Sequence, residues 1–465
     1  MVAQYGIVPY VAQVQPSQQS TQQKAPVMSE KLGKCLLEFL GSLVEQLHTV
    51  NKLDKRPLKT LVQTVEAILA FRDRCNGLLL SELGGYLDHL GGGGGTKRLE
   101  TLIHQHKWKA QEIEDFLLGR ADEQLADWEA QAEEGLFLWD GVGLEKPESL
   151  KGEGLCPTRS GKAARLTPIK KGYYQPPSAP IFVPGLHGIG GLLAGRKKRQ
   201  GPVLLAVLRW WTSRGAVASF EKDENCKLLR HLSQRWGRRL VHVFDRGYCG
   251  GPWLGALQGF DVRFIVRFKH RYHLVDAQGE KRAAWKLARG KVGQAPRTMY
   301  DAVHHRNVAG SVLFFQVNHP DFPEWPLTLV VGRRCGLEPI YLLTNEEVNT
   351  ADDAWKVVFA YIRRWRIEMA FRHLKSDMGL QSLRVYGWEE RLKLLGLLTL
   401  AYGFLMTLME ESMRNARDWL IDFACHRRGQ RLRLVEVPLS RLRVALSKLW
   451  LAFPCWFVRR GHSLL

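Results

Sequence analysis

The prediction of the fold depends most on residues 361–375, which read YIRRWRIEMAFRHLK and whose pattern predicts a helix. At about 100° per residue, four polar residues of this stretch share a helix face about 60° wide. They are Tyr361, Arg364, Glu368 and Lys375. A phenol, an acid and two bases suit a surface on which Glu368 holds a cation while Arg364 and Lys375 bind phosphates. The alternative is a solvated helix with ion pairs four residues apart.

Two strand-like runs elsewhere in the chain end in an aspartate. Leu136–Trp139 precedes Asp140, and Leu240–Phe244 precedes Asp245. A carboxylate at the end of a buried strand is held rigidly at the edge of the sheet, where it can bind a metal. A turn or helix-capping role is the alternative for either aspartate taken alone.

Together these residues resemble a known signature. The spacing Tyr-x2-Arg-x3-Glu-x6-Lys within residues 361–375 is similar to that of bacterial insertion-sequence DDE transposases of the IS-four type, and the order Asp, Asp, Glu matches their catalytic triad. Residues 341–346, which read YLLTNE, and the core WRIE of residues 365–368 also resemble the family. The catalytic and metal-binding residues that the resemblance implies are Asp140, Asp245 and Glu368.

The resemblance also implies a fold and a cofactor. We expect an α/β protein with an RNase H-like mixed-sheet core that carries a β-rich insertion between the second aspartate and the glutamate. In such enzymes the carboxylates bind two divalent ions, usually Mg²⁺ with Mn²⁺ as a substitute, and these ions bridge the scissile phosphate. Oxygen ligands and a phosphate substrate favour either ion over zinc.

The same comparison suggests which side chains contact DNA. The expected DNA-binding residues are Tyr361, Arg364, Lys375, Arg246 and Tyr341. Family members can also flip a base onto an aromatic side chain of the insertion, and the candidates for that role are Tyr341 and Trp325. Packing in the core is the alternative for both aromatic rings.

The pattern along the whole chain is that of an α/β protein with helical ends. Strand-like runs at Val203–Trp210 and Phe264–Phe268 flank a helical stretch at Glu221–Trp236, and one long helix is predicted from Asp352 to about Met378. We predict a disordered tail at 1–28, a helical N-terminal DNA-binding domain at 29–133, a catalytic core at 134–268 and 340–412, a β-rich insertion at 269–339, and a basic helical C-terminal region at 413–465.

Composition indicates the class of partner. The chain has 465 residues, a net charge of +21 and a pI near 9.7, an excess that attracts polyanions such as nucleic acid. A generally basic soluble protein is the alternative.

The eight cysteines lack the Cys-x-x-Cys spacing of zinc or redox sites, so we expect reduced thiols.

The chain start indicates a location. It carries no secretory signal, and Met28 is a plausible alternative start because helical patterning begins only at Ser29. The apolar run Leu394–Met409 is short and interrupted, which favours a buried helix over a membrane span. We therefore expect a cytoplasmic, nucleoid-associated protein with no membrane contact.

These observations predict a DNA transposase that binds double-stranded DNA, both at the ends of its element and at the target. A homodimer is expected in the synaptic complex. Two other hypotheses remain open at this point: a domesticated, non-catalytic DNA-binding protein, and an RNase H-like nuclease that cuts without joining strands.

Overall fold

The computed structural model describes residues 23–71, 76–91, 93–149, 151–161, 163, 179–196, 203–301, 306–424 and 439–454. They form two compact units. Unit 1 comprises the described parts of Met1–Arg120, Gly143–Leu186 and Ala370–Leu465, and unit 2 those of Ala121–Val142 and His187–Met369. The predicted disordered tail, apart from residues 23–28, and most of the predicted basic C-terminal region lie outside the described residues.

The secondary structure follows the predicted α/β pattern with helical ends. The described helices are α1 (Ala25–Thr49), α2 (Lys55–Ala70), α3 (Leu80–His89), α4 (Gly95–His104), α5 (Ala110–Ala130), α6 (Glu221–Trp236), α7 (Gly251–Gly259), α8 (Ala284–Ala288), α9 (Ala351–Ile362), α10 (Trp365–Ser376), α11 (Trp388–Thr407), α12 (Arg414–Ala424) and α13 (Leu439–Ala452). The described strands are β1 (Gly135–Glu145), β2 (Cys156–Arg159), β3 (Phe182–Gly195), β4 (Val203–Trp211), β5 (Leu240–Phe244), β6 (Arg263–Arg267), β7 (His273–Val275), β8 (Lys281–Ala283), β9 (Gln294–Asp301), β10 (Arg306–His319), β11 (Phe322–Arg334) and β12 (Leu337–Thr344).

Unit 2 is built on a mixed sheet. Its first five strands lie in the order β4-β3-β1-β5-β6, with β3 and β4 antiparallel and β1, β5 and β6 parallel. Helix α6 connects β4 to β5, and α7 connects β5 to β6. An antiparallel pair joined to a parallel set through helical crossovers is the arrangement expected of an RNase H-like core. The predicted fold class is confirmed.

The β-rich insertion extends the same sheet. Strand β12 runs antiparallel to β6, and β11, β10, β7 and β8 follow outward from it, with β9 beside β10. The long hairpin of β10 and β11 pairs residues from Gly310↔Arg334 to His319↔Phe322. Strand content between the second aspartate and the glutamate is therefore confirmed.

An aromatic cluster lies beneath the parallel strands of unit 2. Every residue of β5 is buried, as is typical of a parallel strand covered on both faces. The Trp139 indole Nε1 donates a hydrogen bond of 3.0 Å to Nδ1 of His242, while Phe137 and Phe244 pack on the same two rings. Burial lowers the pKa of His242 to about 3, so the imidazole is neutral. This cluster holds β1 and β5 rigidly side by side.

Unit 1 is largely helical. Leu36, Leu40 and Leu43 form a buried stripe along α1. Helix α2 ends against a buried cation, because a guanidinium nitrogen of Arg443 donates hydrogen bonds of 2.6 and 2.8 Å to the carbonyls of Ile68 and Phe71. The bonds satisfy carbonyls that have no partner within the helix.

Within the described residues, no single helix is long and apolar enough to span a membrane. The pair formed by α11 and Glu411–Ala424, which is bent by 74°, is long and apolar enough by length and composition alone.

Three predicted boundaries were wrong. Helix α1 begins at Ala25, inside the segment predicted to be disordered, because Pro26 favours a helix start in the first turn. Strand β1 continues to Glu145, so Asp140 lies within the strand rather than at its end. The predicted long helix is two helices, α9 and α10, with a break after Ile362.

Candidate active site

The parallel strands bring two of the predicted carboxylates to one edge of the sheet. Strand β1 pairs with β5 up to Leu138↔Val243, and β5 ends one residue later. Continued by two residues, this register sets Asp140 opposite Asp245. Asp140 therefore reaches the edge although β1 continues beyond it, because β5 stops there and leaves that side of β1 uncovered.

A buried arginine joins Asp140 to the third predicted carboxylate. Arg364 is 9% exposed, and its Nη1 lies 3.4 Å from Oδ2 of Asp140. Its other terminal nitrogen, Nη2, forms a hydrogen-bonded ion pair with Oε1 of Glu368. One guanidinium thus bridges Asp140 and Glu368, which lie 228 positions apart in the sequence.

Tyr361 contacts the remaining carboxylate. Its hydroxyl donates a long hydrogen bond of 3.4 Å to Oδ1 of Asp245, and the ring lies 5.9 Å from the guanidinium carbon of Arg364. Burial raises the pKa of Tyr361 above its usual value, so the phenol keeps its proton. The side chain therefore lies among the carboxylates rather than on a solvated surface.

The break between α9 and α10 places these groups. Thr350 and Asp353 form a capping box that starts α9, in which the Thr350 hydroxyl accepts from the Asp353 amide at 3.2 Å. At the far end the Arg364 amide bonds to the carbonyl of Tyr361, three residues back, at 3.0 Å. Arg363 donates to the carbonyl of Gly195 at 2.8 Å and holds the turn. The convergence of Tyr361, Arg364 and Glu368 therefore does not depend on one shared helix face.

The electrostatics of the site follow from crowding. Burial raises the pKa of Asp140 to about 6; the Arg364 charge lowers it, and the charges of Glu368 and Asp245 raise it. Burial alone would lower the pKa of Arg364, but the Tyr361 hydroxyl and the three carboxylates raise it above its ordinary value. The guanidinium stays charged and compensates part of the negative charge around it.

The predicted metal site fits in its chemistry but not in its present geometry. Among the described residues, no three His, Cys, Asp or Glu side chains are grouped closely enough to hold a metal ion as they stand. The guanidinium of Arg364 lies between Asp140 and Glu368, where a shared cation would bind. The donors are nevertheless carboxylate oxygens whose charges all act on the one guanidinium, and such oxygens are the ligands that Mg²⁺ and Mn²⁺ prefer.

The other predicted DNA-binding residues lie in varied settings. Arg246 directly follows Asp245 and is exposed, and Lys375 follows Glu368 by two turns on α10. Tyr341 is half-buried on β12. Trp325, the other candidate for stacking on a base, packs against Phe264 with ring centroids 5.5 Å apart.

The sequence did not reveal two residues near the site. Arg267 ends β6, and the β5–β6 register, continued by one residue, sets it opposite Asp245 on the side away from Asp140. Tyr248 lies three residues after Asp245, donates to the side chain of Asn225 at 3.2 Å, and has a pKa raised by burial, Glu221 and the two aspartates. Neighbouring parallel strands end at the same edge of a sheet, so the position of Arg267 at the end of a predicted strand could have indicated that it lies near Asp245.

Part of the chain is similar to a known protein family. Residues 222–404 match the family model described as the transposase DDE domain. The match supports a DDE transposase, and it includes Asp245 and Glu368 but not Asp140, which lies upstream of it. A solved structure of the piggyBac transposase synaptic complex with hairpin DNA is 12% identical, covering 94% of this chain and 82% of that chain at a TM-score of 0.38. No curated protein sequence is significantly similar to the chain.

Proposed function

We propose that this protein is a cut-and-paste DNA transposase of the bacterial insertion-sequence, IS-four type. It binds the terminal inverted repeats of its element, cleaves phosphodiester bonds there, and joins the 3′ ends to target DNA. The observation that carries the proposal is the convergence of Asp140, Asp245 and Glu368 around one buried guanidinium. The family match over residues 222–404 supports the same conclusion.

In this proposal each side chain of the site has a defined task. Asp140, Asp245 and Glu368 bind two divalent ions, Mg²⁺ or Mn²⁺. Ions held by these carboxylates would supply Lewis-acid activation of the attacking water or 3′ hydroxyl and stabilisation of the leaving oxygen. The hydroxyl of Tyr361 orients the Asp245 carboxylate through its hydrogen bond. Arg364 supplies guanidinium donors that can bind a phosphate near the cut.

The remaining predicted residues extend this surface toward DNA. Arg246 and Lys375 bind phosphates near the cut, and Tyr341 contacts the DNA through its half-exposed ring. A net charge of +21 supports a long polyanionic partner. Double-stranded DNA is bound by residues 29–133 at the element ends, a homodimer brings two ends together, and the protein acts in the cytoplasm at the nucleoid.

Reaction products distinguish the proposal from the two other hypotheses. Purified protein is incubated with Mg²⁺, a duplex bearing the terminal sequence that flanks the gene, and a supercoiled target plasmid. We expect cut ends and plasmid molecules joined to the duplex. Cutting without joined products would identify a nuclease instead, and retention of the duplex without cutting would identify a non-catalytic DNA-binding protein.

The DNA around the gene gives an independent test. An element moved by cut-and-paste transposition carries terminal inverted repeats at its ends, and its insertion produces short direct duplications of target DNA beside them. We expect both to flank the gene. If neither is present, the chain does not serve an element of its own, and the non-catalytic hypothesis gains support.

A further inference from the structure

The guanidinium of Arg364 occupies the place between carboxylates where the proposed function requires a cation. It pairs with Asp140 on one side and with Glu368 on the other, and it is almost fully buried. We propose that Arg364 is an internal counter-ion that holds the metal-binding carboxylates together without DNA and moves onto a DNA phosphate when DNA binds. This inference rests on the proposed function, and it makes metal binding depend on DNA.

The charges around Arg364 explain why a counter-ion is needed. Asp140 and Glu368 both pair with the buried guanidinium of Arg364, and Asp245 is joined to the same group through the Tyr361 hydroxyl. Like charges at short range in a partly buried site repel one another strongly. A guanidinium between Asp140 and Glu368 relieves that repulsion, as a divalent ion would. The guanidinium and the ion repel each other and use the same oxygens, so they compete.

The hydrogen bonding of Arg364 explains why a phosphate can draw it away. Within the part of the chain that the structure describes, buried Nε and Nη1 of Arg364 have no acceptor in good hydrogen-bond geometry: Asp140 Oδ2, 3.4 Å from Nη1, forms an ion pair, and the Tyr361 hydroxyl is the other polar group beside the guanidinium. Buried donors without acceptors are costly. A phosphate offers several oxygens that can accept from two guanidinium nitrogens at once. Arg364 therefore gains hydrogen bonds by exchanging Asp140 and Glu368 for a phosphate.

The position of Arg364 lets this exchange occur in its side chain. The residue lies in the break between α9 and α10, and Arg363 fixes the turn through the carbonyl of Gly195 at 2.8 Å. Trp365, the next residue, is 49% exposed, so the break lies near solvent. The backbone of Glu368 can stay in place while the guanidinium leaves its carboxylate. The backbone positions of the three carboxylates are then kept, and their side chains can close around the ions.

The first test measures metal binding without DNA. Mn²⁺ is titrated calorimetrically into the full-length wild type, Arg364→Gln and Arg267→Gln. Arg267→Gln is the matched control, because it also removes one positive charge at this edge of the sheet. The charge of Arg267 acts on Tyr361. Within the described residues, however, Arg267 forms no ion pair with the three carboxylates. We expect Arg364→Gln to bind Mn²⁺ roughly tenfold more tightly than the wild type, and Arg267→Gln less than about threefold. Equal affinities for wild type and Arg364→Gln would overturn the inference.

The second test uses the wild type and does not depend on the folding of a variant. Mn²⁺ affinity is measured with and without a duplex that carries the terminal sequence flanking the gene. We expect the duplex to raise Mn²⁺ affinity, and by linkage Mn²⁺ raises duplex affinity by the same factor. Arg364→Lys, which keeps the charge but not the planar fork, is expected to retain only part of this coupling.

Failure of the inference is distinguishable from failure of the proposed function. If the wild type cuts DNA with Mg²⁺ but binds Mn²⁺ equally well with and without the duplex, the counter-ion role is wrong and the transposase proposal stands. If neither the wild type nor Arg364→Gln binds Mn²⁺ and no cutting occurs, both are wrong. A tighter Arg364→Gln site in a protein that does not cut supports the counter-ion role alone.

Discussion

At the scale of single residues, the three carboxylates gained unequal support. In the sequence, Asp140 is supported by the strand-like run before it and by the order of the acids in the family that the chain resembles. The register of β1 and β5 now sets it opposite Asp245, and Arg364 joins it to Glu368. The catalytic role of the three carboxylates stays a prediction. The sequence did not predict that Arg364 also pairs with Asp140, because these two residues lie far apart in the chain, whereas the Arg364–Glu368 pair is of the four-residue kind that the alternative interpretation names.

The raised pKa of Asp140 predicts a cost in stability that depends on pH. Its folded pKa of about 6 lies above the usual 3.8 of a carboxyl group, so the folded state favours the protonated form. The cost is absent below about pH 3.8 and reaches its full value above pH 6, where a shift of this size corresponds to at most about 3 kcal/mol. Asp140→Asn should therefore stabilise the protein at about pH 7.5, and the gain should vanish toward pH 4.

Denaturant unfolding of the wild type and Asp140→Asn, with a chelator present at both pH values, measures this effect. Asp261→Asn is a matched control. Asp261 is an exposed residue with a φ of 46°, a conformation that asparagine also adopts readily, and it should change stability little at either pH. An Asp140→Asn variant less stable than the wild type at pH 7.5 would contradict the pKa assignment.

At the scale of elements, the helix break was the main feature that the sequence did not reveal. Residues 352–378 contain neither proline nor an internal glycine before Gly379, so local propensity predicts one continuous helix. The break arises from tertiary contacts, chiefly Arg363 on Gly195 and Arg364 among the carboxylates. In contrast, α6 and β5 were predicted with their observed bounds, because their periodicity and burial patterns are unambiguous.

Helix α9 should depend on its N-terminal cap. Thr350 accepts from the Asp353 amide, and Asp353 in turn accepts from the Thr350 amide at 3.1 Å. Thr350→Ala removes half of this capping box and should destabilise the protein by about 1 kcal/mol. Thr350→Ser keeps the hydroxyl and is the control. Thermal or denaturant unfolding of both variants checks the prediction, and equal loss in the two would show that the hydroxyl is not responsible.

At the scale of the whole molecule, the sequence predicted the fold class. It did not predict how the chain divides into two compact units. The described residues divide so that α5, β1, β3 and α10 each have residues in both units. Sequence patterns identify the elements, whereas the division depends on which faces pack together. The β-rich insertion was foreseen as a separate segment, but it continues the sheet of the core through β12.

A net charge of +21 predicts strongly salt-dependent binding of DNA. The logarithm of the binding constant should fall linearly with the logarithm of salt concentration, with a slope of about −0.9 for each phosphate contacted. Fluorescence anisotropy of a labelled duplex between about 50 and 200 mM salt measures the slope. A slope near zero would show that phosphate contacts do not dominate binding.

The central claim is that Asp140, Asp245 and Glu368 are the catalytic carboxylates of a DNA-cutting enzyme. The most direct test is Mg²⁺-dependent cleavage of a duplex carrying the element end, compared among the wild type, Asp140→Asn, Asp245→Asn and Glu368→Gln, with Asp261→Asn as the control. We predict cutting by the wild type and the control, none by the three site variants, and near-normal duplex binding by all five proteins. Normal cutting by any site variant would contradict the claim for that residue.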